Sequence, residues 1–416
     1  MSTLKYYHFT CFYLYISIIF GIYLYTINIP FVQYIDEALT GGLFLFYLIS
    51  RHYKSNEFKN FLIIIVFYIL YSIFIGITNI NAILMDVVIQ TKPFVTFYCA
   101  SLLGLQLSNK GKLVVKSLIL TLSFLTIILT LVDYNFVMYN LFGHPSRYGT
   151  FFTLSGFIYY YCSDKSRKAL RNTIILWICM LACMKVKSIA FFAIAFFLVI
   201  NIKKMFKSFH LNFKTIFFLL LAIVLMMIFA WKRFSSFYIE NGIEANSVEE
   251  MYARPSLYYT AWEIFKDYFP FGSGFGTFAS HASAVYYSRL YYDYGISNIF
   301  GLQPDAPDFV SDTYFPVLAQ FGVVGAYLFF LFMWKRTREY WRIYKKGDTK
   351  EMMVMKLLIL IYFFIESTSD STLIQNRGVI MMFILALYQN ESISNINCNQ
   401  IIKKNYKSIL TYCLKE

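Results

Sequence analysis

The segment ARPSLYYTAWEIFKDYFPFGSGFGTFASH, residues 253–281, is the most polar long stretch of an otherwise apolar chain, and its residue types suit the binding of an anion. Arg254 precedes Pro255, a residue at home in the first turn of a helix. Free N–H groups and the helix dipole favour an anion there, and a guanidinium adds a bidentate fork for phosphate. The competing reading is an arginine snorkelling to lipid headgroups. The glycines of GSGFG (272–276) are spaced G-x-G-x-G, short of a dinucleotide fingerprint, and no predicted strand precedes them. They are expected to allow tight turns or close approach to a ligand. For general-base work the candidates are Asp312, in SDTYFPVLAQFGVVG, with His281, His144 and Glu263. Asp312 equally suits a helix N-cap.

Other chemistry-bearing residues are sparse. Arg147 lies in GHPSRYGTF (143–151), Lys185 and Lys187 in the turn MKVKS, and Lys232, Arg233, Arg289 and Arg377 stand apart from the main basic clusters. The acidic pair Asp36–Glu37 reads either as an acidic motif of metal-dependent glycosyl transfer or as helix capping. Asp86 and Lys92 fall inside an apolar run, where they are expected to pair or to face protein. Cys179 and Cys183 share a helix face without a nearby histidine and read as buried small hydrophobes, so no metal site is expected.

The elements that must hold these residues are membrane helices. The chain has 416 residues, of which 58% are hydrophobic and only 14% charged, too few charges for a soluble domain. Runs such as 61–78 and 215–231 are long enough to cross the hydrocarbon, and nothing alternates in the manner of a barrel. Hydropathy gives about twelve spans, near 9–27, 34–50, 60–78, 82–107, 113–132, 148–162, 170–184, 188–202, 215–231, 312–333, 353–367 and 377–389. A single helix over 170–202 is the alternative to the seventh and eighth spans. It is far longer than a bilayer needs and would invert everything downstream. Basic connections alternate along the chain, among them RHYKSNEFK (51–59), DKSRKALR (164–171) and KRTREYWRIYKKGDTK (335–350). These mark the cytoplasmic side and account for most of the +14 net charge without nucleic acid.

The expected fold is therefore all-α, a polytopic membrane helical bundle of about twelve transmembrane helices with both termini cytoplasmic. Helices 1–9 occupy 1–231, a large and partly helical extracytoplasmic loop 232–311, helices 10–12 residues 312–389, and a cytoplasmic tail 390–416. The loop holds none of the seven cysteines, so it is not a disulfide scaffold, and no ATP is available on its side. Within it, Leu257, Ala261, Ile264, Phe265 and Tyr268 recur at helical spacing, giving an amphipathic helix over 255–269 that lies on the membrane or caps the bundle.

The order of these features resembles the bacterial O-antigen polymerase and ligase family of polysaccharide-assembly proteins. The sharpest likeness is RPSLYYTAWEIFKDYFPFGSGFGTF followed by SDTYFPVLAQFGVVGAYLF, in which Pro270, Gly272, Gly274, Gly276, Gly322 and Gly325 fit the family pattern. GHPSRYGTF resembles an earlier external arginine segment, and KVKS stands where the family often has a basic, serine-containing turn. Family ligases typically carry a histidine where this chain has Asp312, which favours a polymerase.

The resemblance implies joining of undecaprenyl-diphosphate-linked oligosaccharides outside the bacterial inner membrane, to make O-antigen or capsular polysaccharide, with no cofactor. Arg254 and Arg147 would neutralise the diphosphate leaving group and Asp312 would orient or deprotonate the acceptor hydroxyl. Substrate contacts are expected at Lys187, Arg289, His281, Tyr258 and Gly274. The tyrosines of VYYSRLYYDY (285–294) suit either stacking on sugars or an interfacial belt. Partners implied are the lipid-linked oligosaccharides, membrane lipids, and candidate chain-length regulator and flippase proteins; nucleic acid is not. Ligation to a lipid acceptor and a lipid-linked oligosaccharide flippase are the alternatives, though a transporter would more often show repeated halves and short external loops.

Overall fold

The computed structural model describes residues 3–24, 32–50, 55–202 and 251–413. The expected ninth span, Lys232, Arg233 and the start of the large loop lie outside the described residues. The helices before that gap are α1 (Thr3–Ile18), α2 (Ile35–Ser50), α3 (Asn56–Ile75), α4 (Ile80–Leu102), α5 (Asn109–Val132), α6 (Pro145–Tyr161), α7 (Arg167–Met180) and α8 (Val186–Ile200). After it come α9 (Ala253–Asp267), the short α10 (His281–Val285) and α11 (Leu290–Asp293), a 3-10 turn Phe315–Phe321, α12 (Gly322–Lys345), α13 (Lys350–Ser367) and α14 (Asn376–Cys413).

Local sequence sets many of these boundaries. Ser55, Asn79, Ser108, Ser166 and Thr349 each cap a helix by accepting an otherwise unpaired first-turn N–H. The single-helix reading of 170–202 does not hold: α7 gives way to a 3-10 turn at Leu181–Cys183, and Met184 turns the chain at φ 52°. The last helix runs to Cys413, so the expected boundary at 389 falls inside it.

The structure is an all-α membrane bundle. Among the described residues, α3, α4, α5 and the continuous segment Phe315–Lys345 are long and apolar enough to cross a bilayer, and α8 is a shorter apolar helix. Only 17% of the α3 window is buried, and Ile63, Val66, Leu70 and Phe74 point outward, an apolar surface suited to lipid. Two helices make the interior. α14 packs along α4, and α6 is buried on all sides except at Arg147. Polar side chains inside α6 return their hydroxyls to the preceding turn, as Thr150 does to Ser146, Thr153 to Gly149 and Ser155 to Phe151. A helix buried in hydrocarbon needs this internal satisfaction.

The amphipathic helix forms as α9, starting two residues before Pro255. It turns Leu257, Ala261 and Ile264 inward and lies against the 3-10 turn Phe315–Phe321, capping the bundle. The glycine segment after it is clasped between helices. Gly276 N–H donates to Asp86 at 2.8 Å, Phe275 N–H to the Ser72 hydroxyl at 2.8 Å, and Tyr71 donates to the Gly272 carbonyl at 2.7 Å. Asp86 thus serves the loop and not Lys92. Gly272 and Gly322 meet so closely that a Cβ on either would lie 2.3 Å from the other's nitrogen. Gly276, at φ +72°, would put a Cβ 2.9 Å from the Ala82 backbone. The glycines are a packing joint between the loop and α3, α4 and α12. Gly276→Ala is expected to lose about 2 kcal/mol or more of stability through left-handed strain and contact with α4. Thermal unfolding of the purified protein measures it; an unchanged midpoint would mean the joint is slack.

Candidate functional site

At the end of the bundle covered by α9, two residues expected separately to do chemistry form one pair. Arg254, in the first turn of α9, places Nε 2.6 Å and its terminal nitrogen 2.5 Å from the same oxygen of Asp312. About a third of each side chain stays exposed. The helix-cap reading of Asp312 is excluded: Tyr314 holds the N-cap position of the 3-10 turn, Asp312 N–H donates to the Phe309 carbonyl, and the carboxylate serves Arg254. Burial pushes the Asp312 carboxyl above its ordinary range, and Arg254 pulls it partly back. The charges of Asp370 and Lys187 also act on it, which puts the pair within the field of a second cluster.

That cluster is buried and fully paired. Lys187, at the start of α8, donates to Glu366 at 2.7 Å and to Asp370 at 2.6 Å. Arg377, in the first turn of α14, reaches the other Asp370 oxygen at 2.9 Å and also donates to Gln375. Thr372 adds a hydroxyl to Glu366 at 2.9 Å, and Tyr362 joins Thr150 at 2.8 Å beside Arg377. Burial alone would raise Asp370, but Arg377 and Lys187 outweigh it and hold its carboxyl well below the usual range. Arg377 also lines a cavity of about 20 Å³ with Arg147, Gln375 and Asn376. With its amide nitrogen turned toward Asp36, Asn376 donates to both carboxylate oxygens at 2.8 and 2.9 Å. Asp36 and Glu37 in turn hold Lys92 at 2.6 and 2.5 Å. One connected polar floor therefore runs from α8 to α4.

The remaining residues singled out from the sequence fall around this floor. Tyr258, on α9, donates to the Thr368 carbonyl at 2.8 Å and ties the helix of Arg254 to the turn that carries Asp370. His144 caps α6 by accepting the Ser146 N–H; desolvation and then Lys185 hold it down at about 4, so it is neutral at pH 7. His281 opens α10, within the field of Lys92 and Glu37. Arg289 is exposed and pairs with Asp293 at 3.5 Å, and Glu263 pairs with Lys266 on the exposed side of α9. Gly274 is buried against Ser72, its N–H given to the Gln320 carbonyl. Lys187 sits beneath the exposed pair as part of the floor.

A partly exposed arginine–carboxylate pair above a charge-paired floor is an arrangement suited to an anionic group on a substrate that reacts through a hydroxyl. Residues 172–330 match the O-antigen ligase family model. The resemblance drawn from the sequence thus holds over that segment, which contains Lys187, Arg254, Tyr258, Gly274, His281, Arg289 and Asp312 but not Arg147. The family match supports glycosyl transfer from lipid-linked oligosaccharides in a membrane. A comparison with curated proteins returned no match.

Sequence reasoning missed Glu366 and Asp370. Their i, i+4 spacing in ESTSD at the end of an apolar run was the available signal, because acids at that position need cations and Lys187 and Arg377 were the cations in excess. The two kinds of pair should differ in stability. Lys187→Ala leaves buried carboxylates short of a counter-charge and is expected to cost about 3–5 kcal/mol. Arg254→Ala opens a half-exposed pair and should change stability by about 1 kcal/mol or less. Chemical unfolding in detergent compares them, and equal losses would contradict the division into floor and exposed pair.

Proposed function

We propose that the protein is a polymerase of undecaprenyl-diphosphate-linked oligosaccharide repeat units, acting outside the bacterial cytoplasmic membrane and releasing undecaprenyl diphosphate. In this reading the α9 end faces outward, the basic connections and both termini face the cytoplasm, and residues 232–311 form the extracytoplasmic loop between two groups of spans. The observation that carries it is the Arg254–Asp312 pair, an anion receptor and a carboxylate base on one exposed edge. An ion pair this exposed is worth only about 0–1 kcal/mol, so a diphosphate can take the guanidinium from the carboxylate. Binding of the donor then does two things at once. Arg254 turns to the diphosphate, and Asp312 is left without its counter-ion beside the acceptor.

The acceptor hydroxyl of one repeat unit attacks the anomeric carbon of the other. A new carbon–oxygen bond forms as the bond to diphosphate breaks, and that electron pair leaves on undecaprenyl diphosphate. Asp312 takes the hydroxyl proton. Arg254 stabilises the charge that grows on the leaving group, an interaction stronger in the transition state than in the ground state. Arg147, beside the Asp370-paired Arg377 at their shared cavity, is the second residue assigned to the leaving group. A base must be unprotonated to act, so turnover falls as pH drops through the Asp312 value, which burial lifts above 3.8.

The family's description as O-antigen ligase supports a second reading, with the same donor and a lipid acceptor in place of the second repeat unit. Purified protein given only lipid-linked repeat units separates the two: a ladder of longer glycans indicates a polymerase, and no elongation indicates a ligase. In the same assay Asp312→Asn should abolish elongation. Arg254→Lys, which keeps the charge without the fork, should lower turnover about tenfold or more while donor binding falls less. Near wild-type turnover in Arg254→Lys would return that arginine to the lipid headgroups.

A further inference from the structure

Among the described residues, a second and roomier cavity lies away from the Arg254–Asp312 pair. It is a groove of about 760 Å³ between α3, α4 and α12, within the range of about 300–1,000 Å³ typical of small-ligand sites. Its walls are mainly apolar, with Phe61 and Ile64 on α3, Phe94 on α4, and Leu328 and Phe332 on α12, and Gln90 and Thr91 of α4 add polar groups. Both ends are latched by polar contacts. At one, Tyr68 donates to the Phe321 carbonyl at 2.7 Å beside Phe275. At the other, Arg336 makes two hydrogen bonds to Glu57 at 2.7 and 2.6 Å and a further ion pair to Glu339. Arg336 is thereby neutralised.

Three more cations of α12 line the groove at the Arg336 end. Lys335, Arg338 and Arg342 recur at i, i+3 and i+7, so they share one helix face, and all three are exposed. None of them makes an ion pair among the described residues. An apolar slot whose mouth bears three cations on a single face is complementary to one anionic amphiphile, with chain inside and phosphate at the rim. The three cations stand at the Arg336 end of the slot, so the headgroup of the occupant is set at that end.

We propose that this groove binds one anionic phospholipid of the leaflet that the basic connections face, its acyl chain between α3 and α12 and its phosphate held by Lys335, Arg338 and Arg342. Only the naming of that leaflet as cytoplasmic rests on the proposed function. The groove lies between helices that clasp the glycine segment, so a bound chain would brace the joint that positions Asp312.

Native mass spectrometry of the full-length protein in detergent, titrated with phosphatidylglycerol or phosphatidylcholine, tests the proposal without any reaction. Phosphatidylglycerol should bind more tightly than phosphatidylcholine. Arg338→Gln should weaken it about fivefold, and Lys335→Gln/Arg338→Gln/Arg342→Gln together on the order of 100-fold. Leu328→Trp fills the groove with every cation intact and should also abolish retention. Arg254→Lys should leave it unchanged, which separates this claim from the catalytic one. Equal binding of the two lipids would overturn the proposal. So would undiminished phosphatidylglycerol binding by Leu328→Trp at matched thermal stability, which would mean a surface patch. Preferential displacement by undecaprenyl phosphate would assign the groove to the carrier chain instead and equally overturn it.

Discussion

Two largely buried cations, Lys187 and Arg377, must be neutralised by protein, and that requirement organises one end of the bundle. Asp370 lies between them and Glu366 beside Lys187, so the start of α8, the turn after α13 and the start of α14 are held by one set of charges. Everything nearby is hung from that set. Tyr258 fastens α9 to the same turn, and Asn376, next to Arg377, carries the connection to Asp36 and Lys92. Removing one partner of such a set leaves an uncompensated charge in a medium that stabilises it poorly, which is why the set behaves as a fixed floor.

The Arg254–Asp312 pair differs in kind because water reaches it. Its weakness is useful, since a ligand carrying more negative charge than one carboxylate can displace it. Its position is nevertheless well defined. Arg254 is fixed by α9, whose inner face is buried against the 3-10 turn, and Asp312 by the short connection into that turn. The turn is in turn clasped to the glycine segment, with Thr277 N–H on the Gln320 side chain at 2.7 Å and Gly272 against Gly322. A packed frame thus presents the partly exposed pair on which the proposed exchange rests.

Much of this was legible in the sequence one residue at a time. Hydropathy identified a membrane bundle, spacing identified α9, and chemistry singled out Arg254 and Asp312. Periodicity reports which face of a helix is buried, not which distant residue it meets, so the pairing of those two was invisible. The same limit explains the other differences. Asp86 and Lys92 are near in sequence, yet Asp86 anchors Gly276 and Lys92 serves Asp36 and Glu37. Three glycines in five positions announced tight backbone, but only the fold supplies Ser72, Ala82 and Gly322 as the surfaces they approach. α14 continues past the expected span end at 389 because helix continuation depends on the backbone and not on hydropathy, and no proline or glycine follows Gly378 before Cys413.

The central claim is that Arg254 is handed from Asp312 to the diphosphate. The most direct measurement is the affinity of purified protein for undecaprenyl diphosphate with and without the carboxylate. Asp312→Ala frees the guanidinium, so the account predicts tighter binding, by up to about fivefold, in a protein that no longer turns over. The gain should vanish in Arg254→Ala/Asp312→Ala. Unchanged or weaker binding in Asp312→Ala, or a gain that persists without Arg254, would contradict the exchange.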